Sequence, residues 1–237
     1  MKVEGDNMAN NETKKIKLMI VDDHPFFRQG VCLYFEPLDD IEVISQAESG
    51  QNALNLLSEN NIDLILMDLQ MSGMDGIETT KKIIENHPDI KVLVLTSFNN
   101  WDKVYQALTS GASGYILKDA QPEELIAAIR AVAAGGNYFG SQITGELMQR
   151  LTNTNKKESN NDGNKNDYQD PELIEPLTKR EIDVLKLIGQ GLSNRDIADE
   201  LVLSEKTIKT HATNIYSKLQ VNSRTQAAVY AMKHGIV

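Results

Sequence analysis

The residues that decide the fold are 63–68, DLILMD, in which four consecutive apolar residues lead straight into a carboxylate. A run without polar alternation is typical of a strand covered on both faces, and such strands are typical of a parallel sheet. Similar, mostly apolar runs occupy 16–21, 41–44, 92–95 and 114–117, and a stretch with helical periodicity follows each of them. Five successive strand–helix units predict an α/β domain with helices on both faces of the sheet.

The composition excludes several broad classes of protein. The chain has 237 residues, of which 41% are hydrophobic and 24% charged, and this length suits two domains. It contains no signal-peptide pattern and no apolar run near the ~18 residues that a membrane span requires. The single cysteine, Cys32, cannot form an internal disulfide and has no partners for a zinc site. These features favour a cytoplasmic protein without membrane association.

Charge is divided unequally along the chain. The formal net charge is −10, yet residues 177–237 carry nine Lys and Arg against six Asp and Glu. That segment is therefore +3, which leaves −13 for residues 1–176. The acidic part is a poor candidate for contact with nucleic acid, whereas the basic part is a reasonable one.

Composition also divides the chain into segments. Residues 1–15 are polar and aperiodic and predict a disordered tail, and 16–136 hold the strand–helix units. Residues 137–176 predict a connecting helix and a polar, flexible linker rich in Asn. In 177–237, four helix-start signals predict a small all-α domain of four helices with a helix-turn-helix. These signals are Thr178 with Glu181, Ser193 with Asp196, Ser204, and Ser223 with Gln226.

Charged and hydroxyl side chains stand where the predicted strands end. Asp22 and Asp23 follow the first strand, Asp68 the third, Thr96 the fourth and Lys118 the fifth. The carboxyl ends of parallel strands share one edge of the sheet, so these groups are expected to meet in one crevice. Three adjacent carboxylates repel one another, and Mg²⁺ together with Lys118 relieves that repulsion. Asp68 is then a candidate nucleophile toward a phosphoryl donor.

Four stretches resemble the receiver domain of two-component response regulators: LMIVDDHPFFRQGV (18–31), DLILMDLQMSGMDGIE (63–78), VLVLTS (92–97) and GASGYILKDA (111–120). The resemblance covers most of 16–136. The plainer explanation, in which a strand-end acid merely caps the next helix, is weaker for the whole set with Thr96 and Lys118 than for any single acid. The resemblance implies a flavodoxin-like, five-stranded parallel sheet in the order 2-1-3-4-5.

The resemblance also implies roles for individual residues. Asp68 becomes the phosphoacceptor, Thr96 the switch hydroxyl and Lys118 the phosphate-binding cation. The implied Mg²⁺ ligands are Asp22, Asp23, Asp68 and the backbone carbonyl of Gln70. Tyr115 falls at the family's aromatic switch position, although a buried core tyrosine explains it equally well.

Three neighbouring residues bear on this site less directly. The family usually has Pro where this chain has Ser72, a change that loosens the loop beside Asp68 without removing a reacting group. Phe98, two residues after Thr96, supports the hypothesis that the phosphoryl group is long-lived, because a bulky apolar side chain there positions water poorly. The alternative is that Phe98 simply packs on the next helix. His24 is interpreted as a partly exposed structural residue at a helix start.

One helix of the basic segment has an apolar and a polar face. Its apolar residues recur at i, i+4, i+7 and i+11, namely Ile208, Ala212, Ile215 and Leu219. The rest of its surface carries the candidate DNA contacts, which are Lys206, Lys209, Thr210, Thr213, Asn214 and Lys218. Such groups suit the major groove, because they reach phosphates and base edges. A merely solvated helix face is the alternative.

The basic segment resembles the LuxR-type helix-turn-helix, and the residues that carry the resemblance are LTKREIDVLKLIGQGLSNRDIADELVLSEKTIKTHATNIYSKLQVNSRTQAAVYA (177–231). It implies a scaffold helix at 193–201, a recognition helix at 204–219 and a dimer-forming helix at 223–234. The whole chain then resembles a NarL/FixJ-type response regulator.

The two resemblances together imply a function. A partner histidine kinase phosphorylates Asp68, and the chain then dimerises on a two-fold symmetric site in double-stranded DNA to control transcription. The output is binding, so the chain is not expected to be an enzyme. One alternative is a transcription regulator that works without phosphorylation. A second is a phosphohydrolase with an aspartyl-phosphate intermediate, which adjacent acids in place of a D-x-D motif disfavour.

Overall fold

The computed structural model describes residues 15–97, 101–140 and 175–237. Three sequence predictions therefore concern residues that lie wholly or mostly outside these ranges: the polar tail 1–15, the linker within 137–176, and the role of Phe98. No helix within the described ranges combines the length and the apolarity needed to span a lipid bilayer.

The N-terminal described residues form a parallel sheet of six strands in the order β2-β1-β3-β4-β5-β6. The strands are β1 (Ile16–Val21), β2 (Ile41–Ala47), β3 (Leu64–Met67), β4 (Lys91–Thr96), β5 (Gly114–Leu117) and β6 (Tyr138–Phe139). The predicted order 2-1-3-4-5 is confirmed, and β6 is an addition at the β5 edge.

The sixth strand lies in the segment that the sequence assigns to the interdomain connection. Tyr138 and Phe139 pair in parallel with Gly114 and Tyr115. The close approach depends on Gly114, because a Cβ atom there would lie 2.6 Å from the carbonyl oxygen of Tyr138. The sheet consequently extends beyond residue 136.

Five helices cover the two faces of this sheet: α1 (Pro25–Phe35), α2 (Gly50–Leu57), α3 (Gly76–Asn86), α4 (Trp101–Thr109) and α5 (Pro122–Ala133). Side chains along each strand alternate between two cores. On β3, Leu64 and Leu66 join the core with α1 and α5, whereas Ile65 and Met67 join the core with α2 and α3. All four are buried, as a strand covered on both faces requires.

Four helices make up the C-terminal residues 175–237: α6 (Lys179–Gly189), α7 (Asn194–Leu201), α8 (Glu205–Leu219) and α9 (Arg224–Lys233). Each of the predicted start residues caps its helix by accepting a backbone N–H, and these residues are Thr178, Ser193, Ser204 and Ser223. At α9 the reciprocal contact differs, because the Gln226 amide oxygen accepts the N–H of Asn222 at 2.6 Å.

The helical domain has a hydrophobic core of its own. The predicted apolar face of α8 is confirmed, since Ile208, Ala212, Ile215 and Leu219 are all buried. They pack with buried residues of α6, α7 and α9, among them Ile188. A core assembled entirely within residues 177–237 makes this segment a folding unit.

The helical domain rests against the α/β domain, which we call the receiver after the resemblance noted above, through α9. The Gln226 side-chain amide donates to the carbonyl oxygen of Thr109, at the end of α4, over 2.5 Å. The Thr225 hydroxyl lies 3.5 Å from the side-chain oxygen of Asn137. Val229 packs against the cluster of the α/β domain that contains Leu108. We call this arrangement the closed form.

Candidate functional site

The strand-end carboxylates meet in one crevice. In the β1–β3 register Val21 pairs with Met67, so the residues that follow, Asp22 and Asp68, lie side by side. Asp22 is 1% and Asp68 3% exposed. Each of these acids and Asp23 offers an oxygen within 4.8 Å of the others. Carboxylates so close together favour a hard divalent cation, and the donor set therefore fits Mg²⁺.

Lys118 supplies the positive charge that the acids require. Its Nζ lies 2.8 Å from Oδ2 of Asp68 and 2.6 Å from Oδ2 of Asp22. The ammonium also sits 4.6 Å from the ring centroid of Phe27, which adds a cation–π contact. Two carboxylates and one largely buried ammonium form a charge-assisted network beside the proposed nucleophile.

The loop after β3 holds the acids in place through backbone groups. The N–H of Gln70 donates to Oδ1 of Asp68 at 3.3 Å. The N–H of Ser72 donates to Oδ2 of Asp23 at 3.2 Å. A proline at position 72 could not make the second bond, because it has no N–H.

Thr96 and Tyr115 are buried as well. Thr96 is fully buried, and its hydroxyl has no hydrogen-bond partner among the described residues. The ring of Tyr115 is buried in the cluster that contains Val94, Leu108 and, at its edge, Val229 of α9. Burial raises the pKa of the Tyr115 hydroxyl, and the charge of Asp68 raises it further. Tyr115 therefore belongs to the core and, at the same time, adjoins the interdomain contact.

Two further residues contact the acids: His24, which the sequence argument interprets as structural, and Arg28, to which it assigns no role. The Nδ1 atom of His24 lies 2.9 Å from Oδ1 of Asp23 and 3.2 Å from Oδ1 of Asp22. A guanidinium nitrogen of Arg28 donates to the carbonyl oxygen of Asp22. Both residues belong to the start of α1, which begins directly after the acid pair. That adjacency is the signal in the sequence that could have identified them.

Five of the six candidate DNA contacts lie on the exposed surface of α8, and these are Lys206, Lys209, Thr210, Thr213 and Asn214. The Thr210 hydroxyl bonds the carbonyl oxygen of Lys206, and that of Thr213 bonds the carbonyl oxygen of Lys209. Because these hydroxyl protons are used within the helix, the oxygen lone pairs and the methyl groups remain for a base edge.

Lys218 does not share that exposed surface. Its Nζ lies 2.9 Å from Oε2 of Glu181, which is 4% exposed. Burial opposes ionisation of Glu181, but hydrogen bonds from Lys218 and Thr178 outweigh it and hold the pKa of Glu181 below its ordinary value. Lys218 thus ties α8 to the start of α6.

Removing Lys218 is expected to destabilise the helical domain. In Lys218→Met the buried Glu181 loses its cation, which costs about 3 kcal/mol in the free energy of unfolding. Because the pKa of Glu181 is lower in the folded state, the pair stabilises at neutral pH, and this stabilisation is lost as the pH falls below about 5. Denaturant titrations across that pH range should show a smaller loss of unfolding free energy for Glu181→Gln than for the unchanged protein. If the unfolding free energies of the two proteins fall in parallel with pH, the assignment is wrong.

Two of the candidate DNA contacts on α8 face the receiver in the closed form. Lys209 and Thr213 line a cavity whose other wall includes Lys91 and Asn137 of the receiver. Both side chains stay exposed, but the receiver wall lies opposite them across this cavity.

Comparisons with known proteins agree with both halves of the structure. Residues 18–130 match the model of the response regulator receiver domain, and residues 175–231 match that of the luxR family of bacterial regulatory proteins. Transcriptional regulatory protein DegU of Brevibacillus brevis is 43% identical, with 98% of each chain covered. Transcriptional regulatory protein LiaR of Bacillus subtilis is 42% identical, covering 94% of this chain and 99% of the relative.

A solved structure shows the same likeness in three dimensions. A LuxR-family two-component response regulator from an Aurantimonas species is 31% identical, with a TM-score of 0.56. The match covers 59% of this chain and 99% of that one. The chain therefore belongs to the two-component response regulators with a LuxR-type helix-turn-helix, and it is a DNA-binding transcription regulator rather than an enzyme.

Proposed function

We propose that this regulator is switched by transfer of a phosphoryl group from a partner histidine kinase to Asp68. The observation that carries the proposal is the position of Lys118, whose ammonium contacts both Asp68 and Asp22 at the carboxyl edge of the sheet. A nucleophile, a fixed cation and further acids at one sheet edge are the parts that phosphoryl transfer to a carboxylate needs.

The chain's own residues have distinct parts in the transfer. A carboxylate oxygen of Asp68 forms the new bond to phosphorus, while the phosphorus–nitrogen bond to the kinase histidine breaks and its electron pair leaves with the imidazole. Lys118 then pairs with a phosphoryl oxygen. Asp22, Asp23, Asp68 and the Gln70 carbonyl are the ligands proposed for Mg²⁺, which when bound neutralises charge on the phosphoryl oxygens.

The surface of α1 suits the docking of the kinase. The side chain of Phe26 is 90% exposed, and Leu33 and Tyr34 of the same helix are also exposed. Phe26 and Tyr34, but not Leu33, line a hollow that reaches Lys118. A kinase domain bound over this apolar surface would hold its phosphohistidine within reach of Asp68. The cytoplasm, where kinase domain and chromosome are both accessible, is the proposed location.

Thr96 and Tyr115 connect the phosphorylation site to the closed form. The unpaired hydroxyl of Thr96 is available to donate to a phosphoryl oxygen, and its movement would leave space for Tyr115. Because Tyr115 shares its cluster with Leu108 of α4 and Val229 of α9, its displacement weakens the contact that holds the helical domain. Phosphorylation thus favours release of α8.

The released domains are proposed to dimerise on a two-fold symmetric DNA site. Joining two recognition helices makes the second binding event intramolecular, which raises the affinity without any new contact. A regulator that works without phosphorylation remains the second candidate. The complete set of Asp22, Asp23, Asp68, Thr96 and Lys118 in one crevice favours the first.

The experiment that tests the proposal compares two states of the full-length protein. An operator can be selected from random DNA, and its affinity measured by fluorescence anisotropy with and without Mg²⁺ and acetyl phosphate. The phosphorylated protein is expected to bind about tenfold more tightly. Equal affinity in both states, despite full phosphorylation, would favour the phosphorylation-independent candidate.

Substitutions of single α8 residues should have two different kinds of effect on DNA binding in this assay. Lys209→Ala is expected to weaken binding to all sequences and to flatten the logarithmic salt dependence by about one unit, if its ammonium contacts a phosphate. Thr210→Ala should instead relax sequence preference at one position. Lys186→Ala, an exposed lysine of α6, removes the same charge and is the control. A salt slope that is the same in Lys209→Ala and Lys186→Ala would remove Lys209 from the interface.

A further inference from the structure

A cavity of about 620 Å³ lies between the receiver and the helical domain in the closed form. Lys91 and Asn137 belong to its receiver wall, and Lys209, Tyr216 and Arg224 belong to the opposite wall. Its volume falls in the range of sites for organic ligands, roughly 300 to 1,000 Å³. Phosphoacceptor chemistry takes place at the other end of the sheet, so this cavity is not part of the phosphorylation site.

The cavity brings together positive charge from both domains. Three cations line it, namely Lys91, Lys209 and Arg224, against two acids, Asp89 and Glu205. Glu205 forms an ion pair with Lys209, whose Nζ lies 3.5 Å from Oε1 of Glu205. Lys91 forms no salt bridge with any described residue. Burial lowers the pKa of Lys91, an effect that Asp89 opposes and the charges of Arg224 and Lys209 reinforce.

Two buried donors in the same walls lack acceptors. The Nδ2 atom of Asn137, a residue only 9% exposed, and the Nε atom of Arg224 have no hydrogen-bond partner among the described residues. A buried donor without an acceptor is unfavourable, so a ligand that supplies oxygen acceptors is favoured. The helices α7 and α9 also begin at the cavity, with Asn194 and Arg224, and direct the positive ends of their dipoles toward it.

We infer that this cavity binds a multivalent organic phosphate of about nucleotide size, and that the bound anion holds the regulator in the closed form. Phosphate oxygens accept from cations and neutral donors together. The terminal nitrogens of Arg224 already donate to Oδ1 of Asn194 and to the carbonyl oxygen of Leu192, so Lys91 and Lys209 are the cations that remain to bind the ligand. The ligand must be multivalent to reach Lys91 on one domain and Lys209 on the other. The inference rests on the closed form in which the receiver restrains DNA binding.

The bound anion would compete with DNA. Lys209 is proposed to contact DNA phosphate, and it cannot serve a cavity ligand and a duplex at once. A ligand that binds the closed form alone stabilises that form by mass action. The reciprocal effect is a lower affinity for the operator in its presence.

The test uses the unphosphorylated full-length protein at constant ionic strength. Pyrophosphate, AMP, ATP and citrate are titrated in turn by calorimetry, with Lys91→Met and Lys81→Met compared throughout. Lys81 is an exposed lysine of α3 that does not line the cavity. One equivalent of a phosphate compound is expected to bind, about tenfold more weakly in Lys91→Met and equally well in Lys81→Met. Lys91→Arg should restore the affinity.

The remaining outcomes distinguish the inference from the function on which it rests. Small-angle scattering reports whether the domains are docked. A docked protein that binds none of the phosphates at about 1 mM would overturn the inference and leave the restraint intact. Equal affinity in Lys91→Met and the unchanged protein, or citrate binding as tightly as the phosphates, would overturn it as well. An undocked protein would overturn both. The bound phosphate should also lower operator affinity in the unchanged protein and not in Lys91→Met.

Discussion

Replacing Asp68 by Asn is expected to abolish phosphoryl uptake completely. The amide nitrogen and oxygen of Asn cannot form the acyl phosphate, although they fill the same space beside Lys118. The unchanged protein, incubated with Mg²⁺ and acetyl phosphate, should gain one phosphoryl group per chain by intact mass, stable in acid and labile in base. Asp119→Asn is the matched control, because Asp119 is an exposed acid next to Lys118 and should leave uptake unchanged.

The same assay separates the nucleophile from the metal ligands. Asp23→Asn keeps Asp68 but removes a proposed Mg²⁺ ligand, so the Mg²⁺ concentration required for half-maximal uptake should rise by about tenfold or more. Labelling of Asp68→Asn at the unchanged rate would show that another residue is the phosphoacceptor. An unchanged Mg²⁺ requirement in Asp23→Asn would remove Asp23 from the metal site.

Residues 175–237 alone are expected to bind the operator about tenfold or more tightly than the unphosphorylated full-length protein. In the closed form Lys209 and Thr213 face the receiver, and an acidic domain tethered nearby competes with DNA phosphates. The segment has its own core and should therefore fold alone. Anisotropy titrations of the two proteins at one salt concentration make the comparison.

A single substitution at the domain contact provides the control for this experiment. Val229→Lys places a charge against the apolar receiver cluster and should move the affinity of the full-length protein toward that of the fragment. Because α9 is also the helix expected to form the dimer, Val229→Lys is measured in the fragment as well, and only the gain in affinity of the full-length protein beyond the fragment's own change is assigned to the receiver. If the fragment and the full-length protein bind equally, the receiver does not restrain DNA binding.

The sequence was enough to predict which site residues lie close together where the strand order of the sheet alone brings them to one edge. Asp22, Asp68, Thr96 and Lys118 are far apart in the chain, yet each follows a strand of a parallel sheet, and parallel strands end at one edge. Their convergence therefore needs only the strand order. The apolar face of α8 was equally accessible, because helical periodicity alone decides which side chains are buried.

The sequence was insufficient where contacts are local in space and distant in the chain. Lys218 flanks the polar face of α8 by periodicity, but its partner Glu181 lies 37 residues away, and no pattern links the two. The pairing of β6 with β5 depends on the small size of Gly114, which a hydrophobic pattern does not register. The domain contact combines side chains that each look like ordinary surface residues, such as Gln226 and Thr225.

The hydrogen bond from the Ser72 N–H to Asp23 limits which substitutions can test this loop. The donor is the peptide N–H, which nineteen of the twenty amino acids possess and proline alone lacks. An alanine scan therefore removes the hydroxyl of Ser72, preserves the bond and returns a silent position. Only proline deletes the donor, so Ser72→Pro is the one natural substitution that tests this bond.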